Sequence, residues 1–290
     1  MIYIRLSGRF GNYLFQIAAG ATLADRLHTK YKVLVAPDDE AICTTSTQTM
    51  WNYLSKFKDN IFRQMEFVRE APSNARFYSW REFSYKPFHF DGKDDVIIDG
   101  YFQSYLYIND NLIRKLYLMP DEIATSLKQK YADWINEPFV CIHVRRGDYL
   151  NLPHRFSICS NRFYHQAMKQ FSKDTRFAVI SDDMSWCKRH IRGNNVFYAD
   201  NHPSLLEDFY LQTLATDNII SNSSFSWWGA FLNAHQTKRV FYPTPWFGPH
   251  NSHHDTSQLC PSDWIALPNR TPFRYWLKSV YIRLMMKFNR

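Results

Sequence analysis

The sequence predicts an α/β chain folded as two lobes that face a cleft, each lobe wound on a parallel sheet. Three observations carry that expectation. Short apolar runs alternate with stretches of helical periodicity over most of the length, the pattern that successive βαβ units produce. The 290 residues suffice for two domains at roughly 150 residues each. Pro120 and Pro138 bracket a helical stretch over 121–135 that reads as the connection between the lobes.

In the first lobe, residues 2–6 read as a strand, followed by a Gly-rich turn, a helix over 13–27 and a second strand over 32–36. Residues 43–93 are rich in Phe, Trp and Tyr, show few strand patterns, and read as helical and irregular. The sheet resumes at 96–99 and ends at Gly100 and Tyr101, with helices over 104–117 and 121–135. The second half is more regular. Strands are expected at 139–144, 177–181, 196–198, 218–221 and 239–242, and helices at 161–171, 184–190, 203–216 and 225–233, which makes a five-strand wound sheet. Neither an internal repeat nor a low-complexity segment interrupts the pattern.

Composition narrows the function classes. Apolar residues at 45% and charged residues at 21% exclude a disordered or collagen-like chain. Five cysteines, Cys43, Cys141, Cys159, Cys187 and Cys260, are widely spaced without a C-x-x-C, so neither a disulfide framework nor a zinc site is expected. No uncharged run reaches a membrane span, and Arg5 and Arg9 break what would be the apolar centre of a signal peptide. The expected address is the cytoplasm. The formal charge of +8 sits mostly in residues 269–290, which hold Arg270, Arg274, Lys278, Arg283, Lys287 and Arg290 and no acid, while the rest of the chain has 29 basic against 27 acidic residues. A nucleic-acid partner would call for basic residues spread along a phosphate track, so none is expected. In the tail, Phe273, Leu277, Val280, Tyr281, Leu284 and Phe288 recur at helical steps. That pattern fits either a basic amphipathic helix lying on anionic lipid or a helix packed on the body with solvated charges.

The sharpest chemical signal is FVCIHVRRGDY, residues 139–149. An apolar strand runs straight into His143, Arg145, Arg146, Gly147 and Asp148. In wound sheets ligands bind beyond the carboxyl ends of the strands, and two guanidinium groups there suit the pyrophosphate of a leaving group. The competing reading is an ordinary strand end in which Arg145 or Arg146 pairs with Asp148. The segment SGRFGNYLFQIAAG, residues 7–20, places Gly8 and Gly11 before a helix N-terminus, where backbone N–H groups can meet a ligand. It matches neither the dinucleotide fingerprint nor a P-loop, and a plain tight turn explains it equally well. IISNSSFSWWGAFLN, residues 219–233, runs from a strand into Asn222, Ser223, Ser224 and Ser226, polar donors at a helix start, with at least one of Trp227 and Trp228 read as core.

Several acids and histidines admit two readings. Asp208 on a predicted helix could accept from a guanine amine or be a solvated charge. Asp182 and Asp183 could bind a metal, although capping of the following helix is the preferred reading. His250, His253, His254 and Asp255 lack a standard zinc spacing.

Taken together, these motifs, with DGYFQSYLYI at 99–108, FAVISDDMSWCK at 177–188 and CPSDWIALP closing the likeness near 268, resemble the bacterial α-1,2-fucosyltransferases of glycosyltransferase family 11. The resemblance implies a GT-B-type fold of two Rossmann-like lobes. Residues 1–128 would form the acceptor side, 129–268 the GDP-sugar-binding lobe and 269–290 a basic amphipathic tail. It implies inverting transfer of L-fucose from GDP-fucose to the 2-hydroxyl of a galactoside in surface-glycan synthesis of the O-antigen or capsule type, with no cofactor and no metal. The acceptor would be a galactose-containing oligosaccharide or a lipid-linked glycan, and the tail would make peripheral contact with the inner face of the membrane. Carried onto this sequence, Arg145 would hold the diphosphate, with His143, Arg146 and Asp148 completing the element. His143 and Asp148 are the candidate bases, and the leaving phosphate itself is a third. Gly8, Gly11, Asn12, Asp208, Ser223, Ser224 and Ser226 would line the donor site. The opening reads Ser7-Gly8-Arg9-Phe10-Gly11-Asn12-Tyr13 where the family pattern is G-G-L-G-N-Q, so a first Gly and a Gln are missing. Two other classes stay open: a metal-dependent glycosyl- or phosphotransferase using Asp182 and Asp183, and a nucleotide- or glycan-binding protein without turnover.

Overall fold

The computed structural model describes residues 1–35, 49–201 and 204–288. The chain divides into two compact units, one of Met1–Pro120 with His254–Pro261 and one of Asp121–His253 with Ser262–Arg290.

The first unit holds, among the described residues, a five-stranded parallel sheet in the order β3-β2-β1-β5-β4. Its strands are β1 (Ile2–Arg5), β2 (Tyr31–Leu34), β3 (Phe67–Val68), β4 (Arg76–Trp80) and β5 (Val96–Gly100). Ile2, Tyr3 and Ile4 of the central strand are all buried, as a strand covered on both faces requires. The helices are α1 (Phe10–Arg26), α2 (Met50–Lys58) and α3 (Asp110–Leu116). The aromatic stretch read as helical and irregular contains β3 and β4. Only Tyr78 and Trp80 of β4 are even half-buried among its Arg76–Trp80 residues, so this edge strand lacks the apolar run that announces a central one. The single helix expected over 104–117 is a 3₁₀ turn, Tyr105–Tyr107, followed by α3, because the Asn109 side chain accepts the Leu112 N–H and restarts the helix. Phe88 contacts Tyr78, Phe102 and Tyr107 at ring-centroid distances of 5.3–5.5 Å, so much of the aromatic excess goes into this one core. Cys43 and the end of the strand expected at 32–36 lie outside the described residues.

The second unit is built on a six-stranded parallel sheet, order β11-β10-β9-β6-β7-β8. Its strands are β6 (Val140–Val144), β7 (Phe177–Ser181), β8 (Val196–Tyr198), β9 (Asp217–Ile219), β10 (Val240–Thr244) and β11 (Ile265–Pro268). The sixth strand, β11, escapes the sequence pattern because it is an exposed edge that ends in proline. The helices are α4 (Asp121–Ile135), α5 (Asn161–Met168), α6 (Met184–His190), α7 (Leu205–Thr213), α8 (Ser224–Leu232) and α9 (Phe273–Phe288). Val140, Ile142 and Val144 of β6 share a core with Phe163 and Tyr164 of α5 and Trp186 of α6, so alternation along the strand sends Cys141 and His143 to the other face. Glu207 fastens α7. It completes a capping box with Ser204 and receives Lys130 of α4 at 2.8 and 3.0 Å. The described cysteines Cys141, Cys159, Cys187 and Cys260 are buried.

Candidate active site

In the second sheet the chain starts at β6, winds outward through β7 and β8, then crosses back to β9 on the other side of β6. Connections leaving β6 and β9 therefore diverge at their carboxyl ends, the switch point where wound sheets open a ligand crevice. The loops after β6, β7 and β9 carry the Arg145–Arg146, Asp182–Asp183 and Ser221–Ser226 segments, and they are cross-linked there.

Arg145 follows β6 directly. One guanidinium nitrogen lies 2.6 Å from Asp148 Oδ1, a second lies 2.8 Å from Asp182 Oδ2, and the plane rests 5.3 Å from the Tyr149 ring centroid. Its Nε is buried and has no hydrogen-bond partner, an uncompensated cost of holding the guanidinium there. Arg146 is committed differently. Its backbone N–H donates to Asp182 Oδ1 at 2.8 Å and its Nε to Asp183 Oδ2 at 3.0 Å. A terminal nitrogen donates to Tyr275 Oη at 3.2 Å, and the guanidinium lies 4.2 Å from the Trp186 ring. Only 3% of its surface is exposed. Gly147 lets Asp182 approach, since a Cβ there would stand 2.5 Å from Asp182 Oδ2. The competing strand-end pairing thus holds for Arg145 with Asp148, and Arg146 pairs with Asp183 instead. Asp183 also caps α6, accepting the Trp186 N–H at 3.0 Å. These contacts occupy the Asp182–Asp183 pair, and among the described residues no group of three or more His, Cys, Asp or Glu side chains is placed to hold a metal.

His143 Nδ1 lies 2.9 Å from Ser221 Oγ, across the β6–β9 switch point. Burial, and then the nearby Arg145 charge, lower its pKa to about 3, so the ring is neutral at physiological pH. The β9 loop is held from several sides. Asn222 donates to Ser157 O and Trp246 O at 2.8 and 2.7 Å, Tyr149 Oη donates to Asn222 O at 3.2 Å, and Ser226 Oγ donates to Ser221 O and Ser223 O. Ser223 caps α8, whose first turn carries no acid and includes Ser224, leaving the positive end of that helix at the crevice. Asp208, on α7, has a buried Oδ1 without a hydrogen-bond partner. Burial, and then the Glu207 charge, raise its pKa to about 7.

The first sheet repeats the logic. β1 lies between β2 and β5, so its switch point falls between the ends of β1 and β5. Gly8 sits there at φ +81°, a conformation that suits glycine, and Gly11 is buried in the first turn of α1. Asn12 Oδ1 accepts from Gln103 Nε2 at 2.8 Å, joining the two loops. Phe102, beside Gln103, holds a positive φ of 49°. Gln16, fully buried on α1, bonds the backbone N–H of Ser7 at 3.0 Å, its O at 3.2 Å and its Oγ at 2.8 Å. It braces the turn in a segment that lacks the glutamine expected after Asn12. His254 serves neither site, packing on the Phe83 ring with Nδ1 3.2 Å from Glu82.

Sequence reading missed Gln16, Gln103, Tyr149 and Ser221. A fully polar amide inside the apolar helix pattern at position 16 was the one available signal; the others are defined by partners far along the chain.

Two Rossmann-like lobes, each wound on a parallel sheet, are the architecture of the GT-B class of glycosyltransferases. The model of Glycosyl transferase family 11 matches residues 1–266, and the chain belongs to that family. It is 33% identical over 140 residues to an α-1,2-colitosyltransferase of Escherichia coli, an alignment covering 44% of this chain and 47% of the relative, and so about half of that relative's length. It is 25% identical to the O-antigen biosynthesis glycosyltransferase WbnK of Escherichia coli over 92% of this chain and 100% of the relative. A galactoside α-(1,2)-fucosyltransferase 1 of Bos taurus is 36% identical over 104 residues, 32% of this chain and 29% of that protein. Among solved structures, the α-1,6-fucosyltransferase NodZ soaked with GDP-fucose aligns with a TM-score of 0.51 at 14% identity, over 80% of this chain and 91% of that one, a likeness of fold. None of the described helices is long and apolar enough to cross a membrane.

Proposed function

We propose that this family 11 glycosyltransferase moves L-fucose from GDP-fucose to the 2-hydroxyl of a galactoside, with inversion and without a metal, in building a surface glycan. The observation that carries the reading is Arg145, held at the β6 switch point with a buried, unpartnered Nε. Charge develops on the β-phosphate as the C1–O bond breaks, and a preoriented guanidinium stabilises that charge without reorganising. The α-1,2 linkage and the O-antigen context are supported by the names of the relatives, and the donor nucleotide by the resemblance of the motifs.

Asp148 is the partner that can yield. It is 38% exposed and Asp182 is 27% exposed, but Asp182 also holds the Arg146 backbone. An incoming diphosphate would take the Arg145 fork from Asp148 and release a carboxylate beside the reacting centre. His143 is buried with Nδ1 already against Ser221 Oγ, and burial and the Arg145 charge lower its pKa to about 3, so the ring is a weak proton acceptor. Asp148→Asn is therefore expected to lower kcat at least about tenfold, within the range for losing a general base, while GDP affinity is unchanged or improved because the competing carboxylate is gone. Steady-state kinetics paired with calorimetry check this, and unaltered kcat removes Asp148 from the reaction.

The whole reading is tested by incubating the chain with GDP-fucose and β-galactosides, measuring released GDP and the linkage formed, with and without excess chelator. Transfer to the 2-hydroxyl that survives chelation supports it; a requirement for metal revives Asp182 and Asp183 as ligands, and GDP binding without turnover leaves a binding protein. The E. coli colitosyltransferase favours a second donor, so a colitose donor with the same nucleotide belongs in the same assay.

A further inference from the structure

The geometry points to α9 as an interfacial anchor that lays this protein on an anionic phospholipid surface. One row of the helix, Tyr275, Ser279, Ile282 and Met286, spaced by four, three and four residues, is turned toward the rest of the second unit, with Ser279 buried. The opposite row, Phe273, Leu277, Leu284 and Phe288, follows the same helical spacing at about 100° per residue and faces outward, with Val280 half-buried at its edge. Phe273 is 71% exposed, Leu284 50% and Phe288 82%. Trp276 and Tyr281, also exposed, widen this ridge.

The charges decide what covers it. Arg274 and Lys278 fall along one flank of the ridge, Arg283 and Lys287 along the other, and residues 269–290 contain no acid. His250, Arg283, Met286 and Lys287 line a pocket of about 160 Å³ beside the end of the helix, which sets the Arg283 and Lys287 side chains together. An outward apolar ridge with aromatic side chains and cations on both sides is the design of a helix lying in the headgroup region. A second copy of the chain is a poor occupant, because pairing these faces would set two basic flanks against each other. With 16 residues and four described cations, α9 lies on a bilayer rather than crossing it.

The helix is also tied to the Arg145 loop. Tyr275 Oη accepts from Arg146, and Lys278 Nζ donates to Leu150 O at 2.9 Å. Docking would hold that loop at the lipid surface. The inference rests on α9 and is independent of the transfer reaction, since a chain with no fucosyl transfer can still bind vesicles.

The test is sedimentation of the full chain with phosphatidylcholine vesicles, with and without phosphatidylglycerol. At low salt the bound-to-free ratio is expected to be at least tenfold higher on the anionic vesicles and to collapse at about 0.5 M salt, where exposed charges are screened. Arg283→Glu with Lys287→Glu, and separately Phe273→Ser with Leu284→Ser and Phe288→Ser, should each cost at least tenfold in that ratio. All five side chains are exposed, and circular dichroism checks that the variants stay folded. Equal binding to neutral and anionic vesicles, parent-like binding by the triple variant, or a lipid-independent dimer that the triple variant dissolves would each overturn the inference.

Discussion

Arg145→Ala is expected to reduce fucosyl transfer by about 10² to 10³ in kcat, the usual cost of deleting one preorganised transition-state donor. The fold should survive. Asp182 keeps its bond from the Arg146 backbone and Asp148 is already partly in water, so no carboxylate is left buried and alone. Thermal unfolding should therefore shift little, while GDP affinity falls because the diphosphate loses its fork. Arg145→Lys should rescue poorly, since an ammonium cannot span Asp148 and Asp182 as the planar guanidinium does. Kinetics of both variants, beside calorimetry with GDP, separate a binding loss from a transition-state loss. Turnover near the parent rate in Arg145→Ala would remove the residue, and with it the proposed chemistry.

Asp208→Asn should change pH dependence more than it changes structure. The native pKa is raised from 3.8 to about 7 by burial and by Glu207. A raised acid binds its proton more tightly when folded, so its stabilising contribution is complete below about pH 4 and is lost as pH climbs through about 7. Above that, the fold carries an ionised, buried carboxylate. The asparagine variant should match the parent near pH 4 and be more stable at pH 8, by at most about 4 kcal/mol at 1.36 kcal/mol per pKa unit. If the unpartnered Oδ1 accepts from guanine N–H groups, the ionised form binds GDP better, and affinity should rise from pH 6 to 8. GDP's own phosphate ionises in part of that window, so the difference between parent and variant is the readout. Parallel affinity profiles would show that the guanine lies elsewhere.

Much of this was legible in one dimension. His143, Arg145, Arg146 and Asp148 announce themselves because a buried strand must be apolar and its end is where charge can begin. The helix starts at Ser223 and Asp183 are written in the capping side chains themselves. Edge strands were harder: β3, β4 and β11 bury too little to leave a run, and the Asn109 restart inside the expected helix is a two-residue event.

By itself, then, the sequence determined the α/β class, the central strands, the family and which residue types stand at the strand ends, because those are consequences of neighbours within a few residues. Only the tertiary structure decided what each does there. It paired Arg146 with Asp183, Trp186 and Tyr275, joined His143 to Ser221 and pushed its proton affinity down, left Arg145 Nε and Asp208 Oδ1 without partners, and turned the apolar ridge of α9 outward. Strand order, burial and charge pairing are set between segments distant in the chain, and local periodicity carries no record of which segments will meet.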